Sequence, residues 1–113
     1  MKVLVTGAAG YVGSHACKAL AQAGLEPIGV DNLERAGIRE LPWGPLEIAD
    51  TRDRSAMDDV LRRHRPQAAL HFAAYAYVGE SVARPGLYYR NNVLGTLTLL
   101  EALLDAGIGK LVF

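Results

Sequence analysis

The sequence has little cysteine, no excess of either charge and no long apolar run. Its one cysteine, Cys17, excludes an internal disulfide and a multi-cysteine zinc site. Twelve basic residues balance twelve acidic ones, which argues against a nucleic-acid-binding surface. Apolar stretches such as AALHFAAYAYVG are too short to cross a membrane. With 113 residues in all, we expect a single soluble domain in the reducing cytoplasm.

Strand-like and helix-like segments alternate along the chain. Short apolar and β-branched runs predict strands at residues 2–6, 27–30, 46–49, 68–73 and 110–113. Apolar residues at helical spacing predict helices at 11–23, 56–65 and about 87–106. Strands that are separated by helices pair in parallel through right-handed crossovers. The pattern therefore predicts an α/β fold, a doubly wound parallel sheet with helices on both faces.

Two local features of these helices are also predicted. Ser55 is the candidate N-cap for the second helix. In the last helix Val93, Leu97, Leu100 and Leu104 are spaced by four, three and four residues, which is typical of a buried stripe. We therefore expect these four side chains to belong to the core.

Gly7, Gly10 and Gly13 form a Gly-x-x-Gly-x-x-Gly motif between the first strand and the first helix. At this position backbone N–H groups and the helix dipole face an anion. Gly7 would allow a tight turn, Gly10 a close approach to a pyrophosphate, and Gly13 close helix–strand packing. A turn without a ligand is the alternative. No Lys-Ser/Thr pair follows, which excludes a phosphate-loop NTPase, and the context favours a Rossmann-like dinucleotide site.

Acidic residues follow the next two predicted strands. Asp31 ends the second strand, where a carboxylate can bind both adenosine ribose hydroxyls and repel a 2′-phosphate, which favours NAD over NADP. Arg35 argues against this preference, because a nearby arginine can bind the 2′-phosphate of NADP. Asp50 and Thr51 follow the third strand, where they either contact an adenine amino group or cap the next helix. Spacing does not decide between these two roles.

The three histidines do not share metal-ligand spacing, so no metal site is predicted. His71 lies on an apolar predicted strand, and His15 and His64 lie on predicted helices. A histidine in the position of His71 is more often a hydrogen-bonded core residue than a ligand or a base. We therefore expect it to be structural.

Five segments together resemble the N-terminal part of UDP-glucose 4-epimerases, members of the extended short-chain dehydrogenase/reductase family. The glycine motif alone indicates only the superfamily, whereas HFAA, VGES and YYRNNVLGT point more specifically to nucleotide-sugar 4-epimerases. The segments are VTGAAGYVGSH at 5–15, DNL at 31–33, WGPLEIADTRD at 43–53, HFAAYAYVGESV at 71–82 and YYRNNVLGTLTLLEAL at 88–103.

The resemblance implies a cofactor, NAD, and a set of residues around it beyond the three glycines. These are Tyr11 and Val12 at the pyrophosphate, Asp31 and Asn32 at the adenosine ribose, Asp50 and Thr51 near the adenine, Phe72, Ala73 and Ala74 at the end of the fourth strand, and Asn91 on the long helix. It also implies interconversion of UDP-glucose and UDP-galactose through a 4-keto sugar. It further implies a homodimer formed through the long helix and the helix that bears the family's catalytic Tyr, of which this chain contains the first.

The sequence also departs from the family. Glu34 and Arg35 stand where many members have Ser or Asn, and Ala76 where some have Lys. The family's catalytic base is the Tyr of a Tyr-x-x-x-Lys pair, and no such pair occurs here. We therefore expect residues 1–113 to form a partial NAD-binding Rossmann domain, truncated after about five strands, without a catalytic residue or a substrate domain. The alternatives are another nucleotide-sugar epimerase or dehydratase, and a non-catalytic dinucleotide-binding fragment.

Overall fold

Five strands and the helices between them account for most of the chain, and the computed structural model describes all residues from 1 to 113. The strands are β1 (Lys2–Thr6), β2 (Glu26–Asp31), β3 (Leu46–Ile48), β4 (Ala68–His71) and β5 (Leu111–Val112). The helices are α1 (Tyr11–Gln22), α2 (Arg54–His64), α3 (Val78–Ala83), α4 (Pro85–Tyr88) and α5 (Gly95–Asp105), with a π-helical turn at Tyr89–Leu94 between the last two.

All five strands are parallel and lie in the order β3-β2-β1-β4-β5. At the centre, Val5 of β1 lies opposite Gly29 of β2 and Leu70 of β4. The chain runs outward from β1 to β3 and then returns to the other side of β1 with β4. This reversal opens a crevice at the carboxyl ends of the strands, where ligands of such sheets bind. The predicted doubly wound α/β fold is confirmed.

The sheet has a hydrophobic core on each face. On one face Leu4 packs with residues of β2, α2 and α5, including Met57 and Leu99. On the other face Val3, Val5 and Cys17 pack with Leu41 and Ala8. Successive side chains of β1 therefore point into opposite cores, which requires helices or loops on both faces. Burial raises the pKa of the Cys17 thiol to about 11, so this cysteine acts as a small apolar core residue.

Helix α1 approaches β1 more closely than a side chain at Gly13 would allow. A Cβ atom at Gly13 would lie 2.0 Å from the carbonyl oxygen of Gly7 and 2.9 Å from the Cα atom of Ala8. Neither neighbour is a flexible side chain, so the helix would have to move away from the sheet. The role predicted for Gly13, close helix–strand packing, is thereby confirmed.

The start of α2 differs from the prediction. Asp53 caps the helix, because its side-chain Oδ1 accepts a hydrogen bond of 3.1 Å from the backbone N–H of Ala56. Ser55 lies inside the first turn instead. A carboxylate next to the positive end of the helix dipole is at least as good a cap as a serine hydroxyl. Asp53 precedes Ser55 by two residues, so the helix begins earlier than predicted and one of its first unpaired N–H groups is satisfied by Asp53.

The predicted helix at 87–106 is three consecutive pieces rather than one, and α3 was not predicted. The π-helical turn adds a residue to its turn, which changes the phase of the residues before and after it. Within α5 itself, Leu97 and Leu104 lie on the face opposite Leu99 and Leu103, and the helix packs on the core with the second face. Val93, Leu97 and Leu104 are exposed, and the prediction that they belong to the core is wrong. Leu99 and Leu103 are buried in their place. None of the helices is long and apolar enough to span a lipid bilayer.

The contact at Gly13 gives a stability prediction. We expect Gly13→Ala to lower the free energy of unfolding by about 3 kcal/mol, because the added methyl group meets backbone atoms that cannot move aside. The matched control is Gly79→Ala in α3, where no atom lies within 4 Å of the added methyl group. Urea denaturation followed by circular dichroism measures both variants. Equal stability of the two variants would contradict the close-packing role.

Candidate functional site

A crevice lies at the carboxyl ends of β1, β2 and β4, and it contains all of the predicted site residues except Tyr11, Val12 and Gly13. Those that line it are Gly7, Gly10, Asp31, Asn32, Asp50, Thr51, Phe72, Ala73, Ala74 and Asn91. Four further residues line it that were not predicted to hold a ligand, namely Val30, Arg35, Ala49 and Tyr75. The crevice therefore joins residues from several separate segments of the chain.

The turn after β1 is shaped by Gly7. This residue has a φ angle of +68°, and a Cβ atom there would lie 2.8 Å from both the backbone nitrogen of Ala73 and the carbonyl carbon of Phe72. A side chain is excluded by conformation and by space. The tight turn predicted for Gly7 is confirmed, and the turn lies directly against the segment that follows β4.

The N-terminus of α1 opens onto this turn. Gly10 is its N-cap residue and supplies no side-chain acceptor, and the first turn of the helix contains no acidic residue. The first N–H groups of a helix have no partner within the helix, so an anion is a suitable partner for them. Tyr11 and Val12 lie on this turn and are 81% and 58% exposed, which leaves both accessible to a ligand.

Asp31 connects the end of β2 to the glycine turn. Its Oδ2 accepts a hydrogen bond of 3.0 Å from the backbone N–H of Ala9, and its Oδ1 accepts one of 2.8 Å from that of Leu33. A carboxylate oxygen accepts more than one hydrogen bond, so both oxygens retain capacity for a ligand donor. Asp31 thus orients the glycine turn and presents a negative charge to the crevice.

Asp50 is fully engaged by protein donors. Its carboxylate accepts hydrogen bonds from the backbone N–H of Arg52 (2.9 Å), from that residue's Nε (2.9 Å) and Nη2 (2.7 Å), and from Asn32 Nδ2 (3.0 Å). The pKa of Asp50 is lowered to about 2, mainly by the hydrogen bonds from the Arg52 guanidinium. The hydrogen bond from Asn32 lowers this pKa further. Since Asp53 caps α2, the capping role considered for Asp50 is wrong. Thr51 is buried, and its Oγ1 lies close to Gly95 of α5.

A chain of hydrogen bonds under the crevice joins β1, β4 and α5 through His71. Thr6 Oγ1 lies 2.6 Å from His71 Nδ1, and His71 Nε2 lies 2.8 Å from Thr96 Oγ1. Thr6 Oγ1 also accepts hydrogen bonds of 3.2 Å from the backbone N–H groups of Phe72 and Ala73. The loop that lines the crevice after β4 is thereby fixed to the end of β1.

The donors and acceptors in this chain assign the tautomer of His71. The Thr96 hydroxyl donates its proton to the carbonyl oxygen of Asn92, at 2.6 Å, so His71 Nε2 must carry the proton that it shares with Thr96. His71 Nδ1 is then the acceptor for the Thr6 hydroxyl. Burial lowers the pKa of His71, which favours this neutral form. The prediction of a hydrogen-bonded core histidine is confirmed.

Asn92 positions a residue of the crevice wall, Tyr75, and sequence reasoning missed it. Its side-chain amide pairs with the backbone of Tyr75, accepting from the N–H at 2.8 Å and donating to the carbonyl at 3.0 Å. The predicted residue Asn91 donates to Asn92 Oδ1 at 2.9 Å and itself lines the crevice. Both lie in the π-helical turn, a local structure that often occurs at functional sites. Only the doubled asparagine in YYRNNVLGT offered a signal.

The neutral state of His71 gives a pH prediction. Because its pKa is lowered in the folded protein, the unfolded chain binds a proton more readily below about pH 6.5. Stability is therefore retained above that pH and is lost as the pH falls, by at most about 1.4 kcal/mol per pH unit from this residue. Urea denaturation between pH 5 and 8 measures the effect. His71→Gln, which cannot titrate, should show a smaller slope, and parallel curves for the two proteins would contradict the assignment.

Comparison with known proteins identifies relatives of the whole chain. The sequence matches the NAD dependent epimerase/dehydratase family over residues 3–113. The UDP-glucose 4-epimerase of Rhizobium meliloti (strain 1021) is 54% identical over 111 residues, which are 98% of this chain and 34% of that protein. The chain thus spans about a third of the length of the curated relatives that it matches first.

Solved structures of such relatives have the same fold. The UDP-glucose 4-epimerase from Brucella ovis in complex with NAD superimposes with a TM-score of 0.95 at 42% identity, covering 99% of this chain and 34% of that one. The complex of the Thermus thermophilus UDP-glucose 4-epimerase with NAD gives a TM-score of 0.95 at 43% identity, covering 100% of this chain and 37% of that one. The chain belongs to the NAD dependent epimerase/dehydratase family.

Proposed function

We propose that this chain is the NAD-binding part of a UDP-glucose 4-epimerase, an enzyme that interconverts UDP-glucose and UDP-galactose. The observation that carries the proposal is the crevice at the reversal of strand order, where the glycine turn and the Asp31 carboxylate are held together by one hydrogen bond. The similarity to epimerases with NAD bound supports the same cofactor.

The features of the crevice fit the parts of a dinucleotide. The uncapped N-terminus of α1 suits a pyrophosphate, and the free acceptor capacity of Asp31 suits ribose hydroxyls. In the proposed complex the pyrophosphate lies at Gly7, Gly10, Tyr11 and Val12, with Gly13 behind them, the adenosine ribose at Asp31 and Asn32, the adenine beside Asp50 and Thr51, and the rest of the cofactor along Phe72, Ala73, Ala74 and Asn91.

When bound, NAD⁺ supplies hydride chemistry at C4 of the sugar, taking up a hydride from one face and returning it to the other. The residues of this chain hold and orient the cofactor. Asp50 is engaged by Arg52, and both ring nitrogens of His71 are bonded to Thr6 and Thr96 beneath the crevice, so neither residue is proposed as the base for the sugar hydroxyl. We propose that the acid–base groups belong to the part of the relatives' length that residues 1–113 do not span.

We further propose that the complete enzyme is a cytoplasmic homodimer of galactose metabolism. Val93, Leu97 and Leu104 form an exposed apolar stripe along the π-helical turn and α5. A stripe of this kind supports burial against a second copy. The single thiol, Cys17, is buried and unpaired, which is consistent with a reducing compartment.

The role proposed for Asp31 predicts weaker cofactor binding when its charge is removed. We expect Asp31→Asn to weaken NAD⁺ binding by roughly 1–3 kcal/mol, because charge-assisted hydrogen bonds to the ribose are lost while one oxygen remains for a backbone donor. Isothermal titration calorimetry on the 113-residue chain measures the affinity. The control is Glu26→Gln at the opposite end of β2, which should bind as the parent does. An unchanged affinity for Asp31→Asn would rule out the ribose contact.

The proposed activity predicts that this chain can replace the matching segment of a known epimerase. We expect a chimera that carries residues 1–113 ahead of the remaining two thirds of the Rhizobium meliloti enzyme to convert UDP-galactose to UDP-glucose. The 113-residue chain alone should give no turnover in the same coupled assay. The control chimera carries Gly7→Val. The valine side chain would clash with the backbone of Phe72 and Ala73, so this chimera should lose NAD binding and activity. A folded chimera that binds NAD without epimerase activity would contradict the proposed reaction.

A further inference from the structure

Arg35 is the one basic side chain among the residues that line the crevice, which otherwise contribute the carboxylates of Asp31 and Asp50. It follows Asp31 by four residues, in the loop after β2. Its guanidinium carbon lies 4.1 Å from the ring centre of Tyr75 and 5.2 Å from that of Tyr77. Stacking on these two rings fixes the guanidinium of Arg35 where this residue lines the crevice.

The charge of Arg35 is paired with Glu80 of α3. Arg35 Nη1 lies 2.7 Å from Glu80 Oε1, and Nη2 donates to Oε2 at 3.0 Å, so the two planar groups meet through two parallel contacts. Tyr88 donates a hydrogen bond of 2.8 Å to Glu80 Oε1, which further fixes the position of the carboxylate. Arg35 and then Tyr88 lower the pKa of Glu80, so the carboxylate is charged at neutral pH.

The position of Arg35 in the lining of the crevice bears on which dinucleotide can bind there. An arginine beside the adenosine ribose binds the 2′-phosphate that distinguishes NADP from NAD, and an acidic residue at the end of β2 disfavours that phosphate. The sequence of this chain contains both residues, Asp31 and Arg35, so their opposing effects would partly cancel. The pairing with Glu80 removes this conflict, since a guanidinium bound to a carboxylate through both nitrogens has less to offer to a phosphate.

We propose that Glu80 is a specificity-determining residue that acts through Arg35, withholding the crevice's basic side chain from a 2′-phosphate and so selecting NAD over NADP. The inference rests on the NAD site proposed above. Glu80 is a positioning residue in this scheme, because it touches Arg35 and not the ribose.

The test compares the affinities of NAD⁺ and NADP⁺ for the 113-residue chain by isothermal titration calorimetry. We expect Glu80→Gln, which keeps the shape of the side chain and an acceptor for Tyr88, to tighten NADP⁺ binding by about fivefold or more. This factor corresponds to a partly exposed charge-assisted hydrogen bond. Binding of NAD⁺ should change by less than about twofold, because the ribose contacts of Asp31 remain.

Two controls separate the role of Glu80 from a general change in charge or structure. Glu40→Gln also removes one negative charge, but from an exposed residue in the loop after β2 that makes no side-chain contact with Arg35. This variant should leave the ratio of the NAD⁺ and NADP⁺ affinities unchanged. Arg35→Gln combined with Glu80→Gln should abolish the gain in NADP⁺ affinity. Circular dichroism verifies that each variant is folded, and Glu80→Asp, which restores the carboxylate, should return the ratio toward that of the parent.

The outcomes distinguish the two proposals. If the parent chain binds NAD⁺ and Glu80→Gln leaves the ratio of affinities unchanged, the specificity role of Glu80 is wrong while the cofactor site stands. A gain in NADP⁺ affinity that persists without Arg35 also overturns it. If the parent chain binds neither dinucleotide, the cofactor site is wrong and the inference falls with it.

Discussion

Three backbone segments converge at Gly7, and the rest of the crevice depends on how closely they approach. The turn after β1 lies against the segment after β4, where a Cβ atom on Gly7 would come within 2.8 Å of Ala73. Helix α1 lies against the same turn from the other side, where a Cβ atom on Gly13 would come within 2.0 Å of the Gly7 carbonyl. These approaches set the width of the crevice and direct the helix N-terminus into it, because no side chain separates the three backbones.

Polar contacts then hold the converging segments in register. Thr6 binds the first residues after β4 and orients His71, whose far nitrogen reaches Thr96 of α5. On the other side of the crevice, Asp31 reaches back to Ala9 in the glycine turn. Every donor and acceptor of the Thr6–His71–Thr96 chain is used when His71 is neutral, so the chain rigidifies the floor of the site without placing a charge in it. The charged groups of the crevice belong to its walls.

The parts of this arrangement that depend on local sequence were predictable. The strand–turn–helix with its three glycines, the carboxylate at Asp31 and the alternation of strands and helices each follow from residues close together in the chain. The remainder depends on pairs far apart: Thr6 with His71, Asn92 with Tyr75, and Arg35 with Glu80. Periodicity cannot reveal such pairs. It also failed for Leu97 and Leu104, because α5 is apolar on two faces and periodicity does not show which of them packs on the sheet.

The crevice is thus defined as much by the groups that are already paired as by the residues that are present. It contains two carboxylates and one guanidinium, but Asp50 is bound by Arg52 and Arg35 is bound by Glu80. Asp31, in contrast, uses one protein donor on each oxygen and retains capacity for more. The first turn of α1 likewise has no side-chain cap. Among the charged groups of the crevice, the carboxylate at the end of β2 therefore keeps capacity for a ligand, and the helix N-terminus adds a set of donors. A ligand that fits both must combine an anion with neighbouring hydroxyl groups, and the ribose and pyrophosphate of a dinucleotide supply that combination.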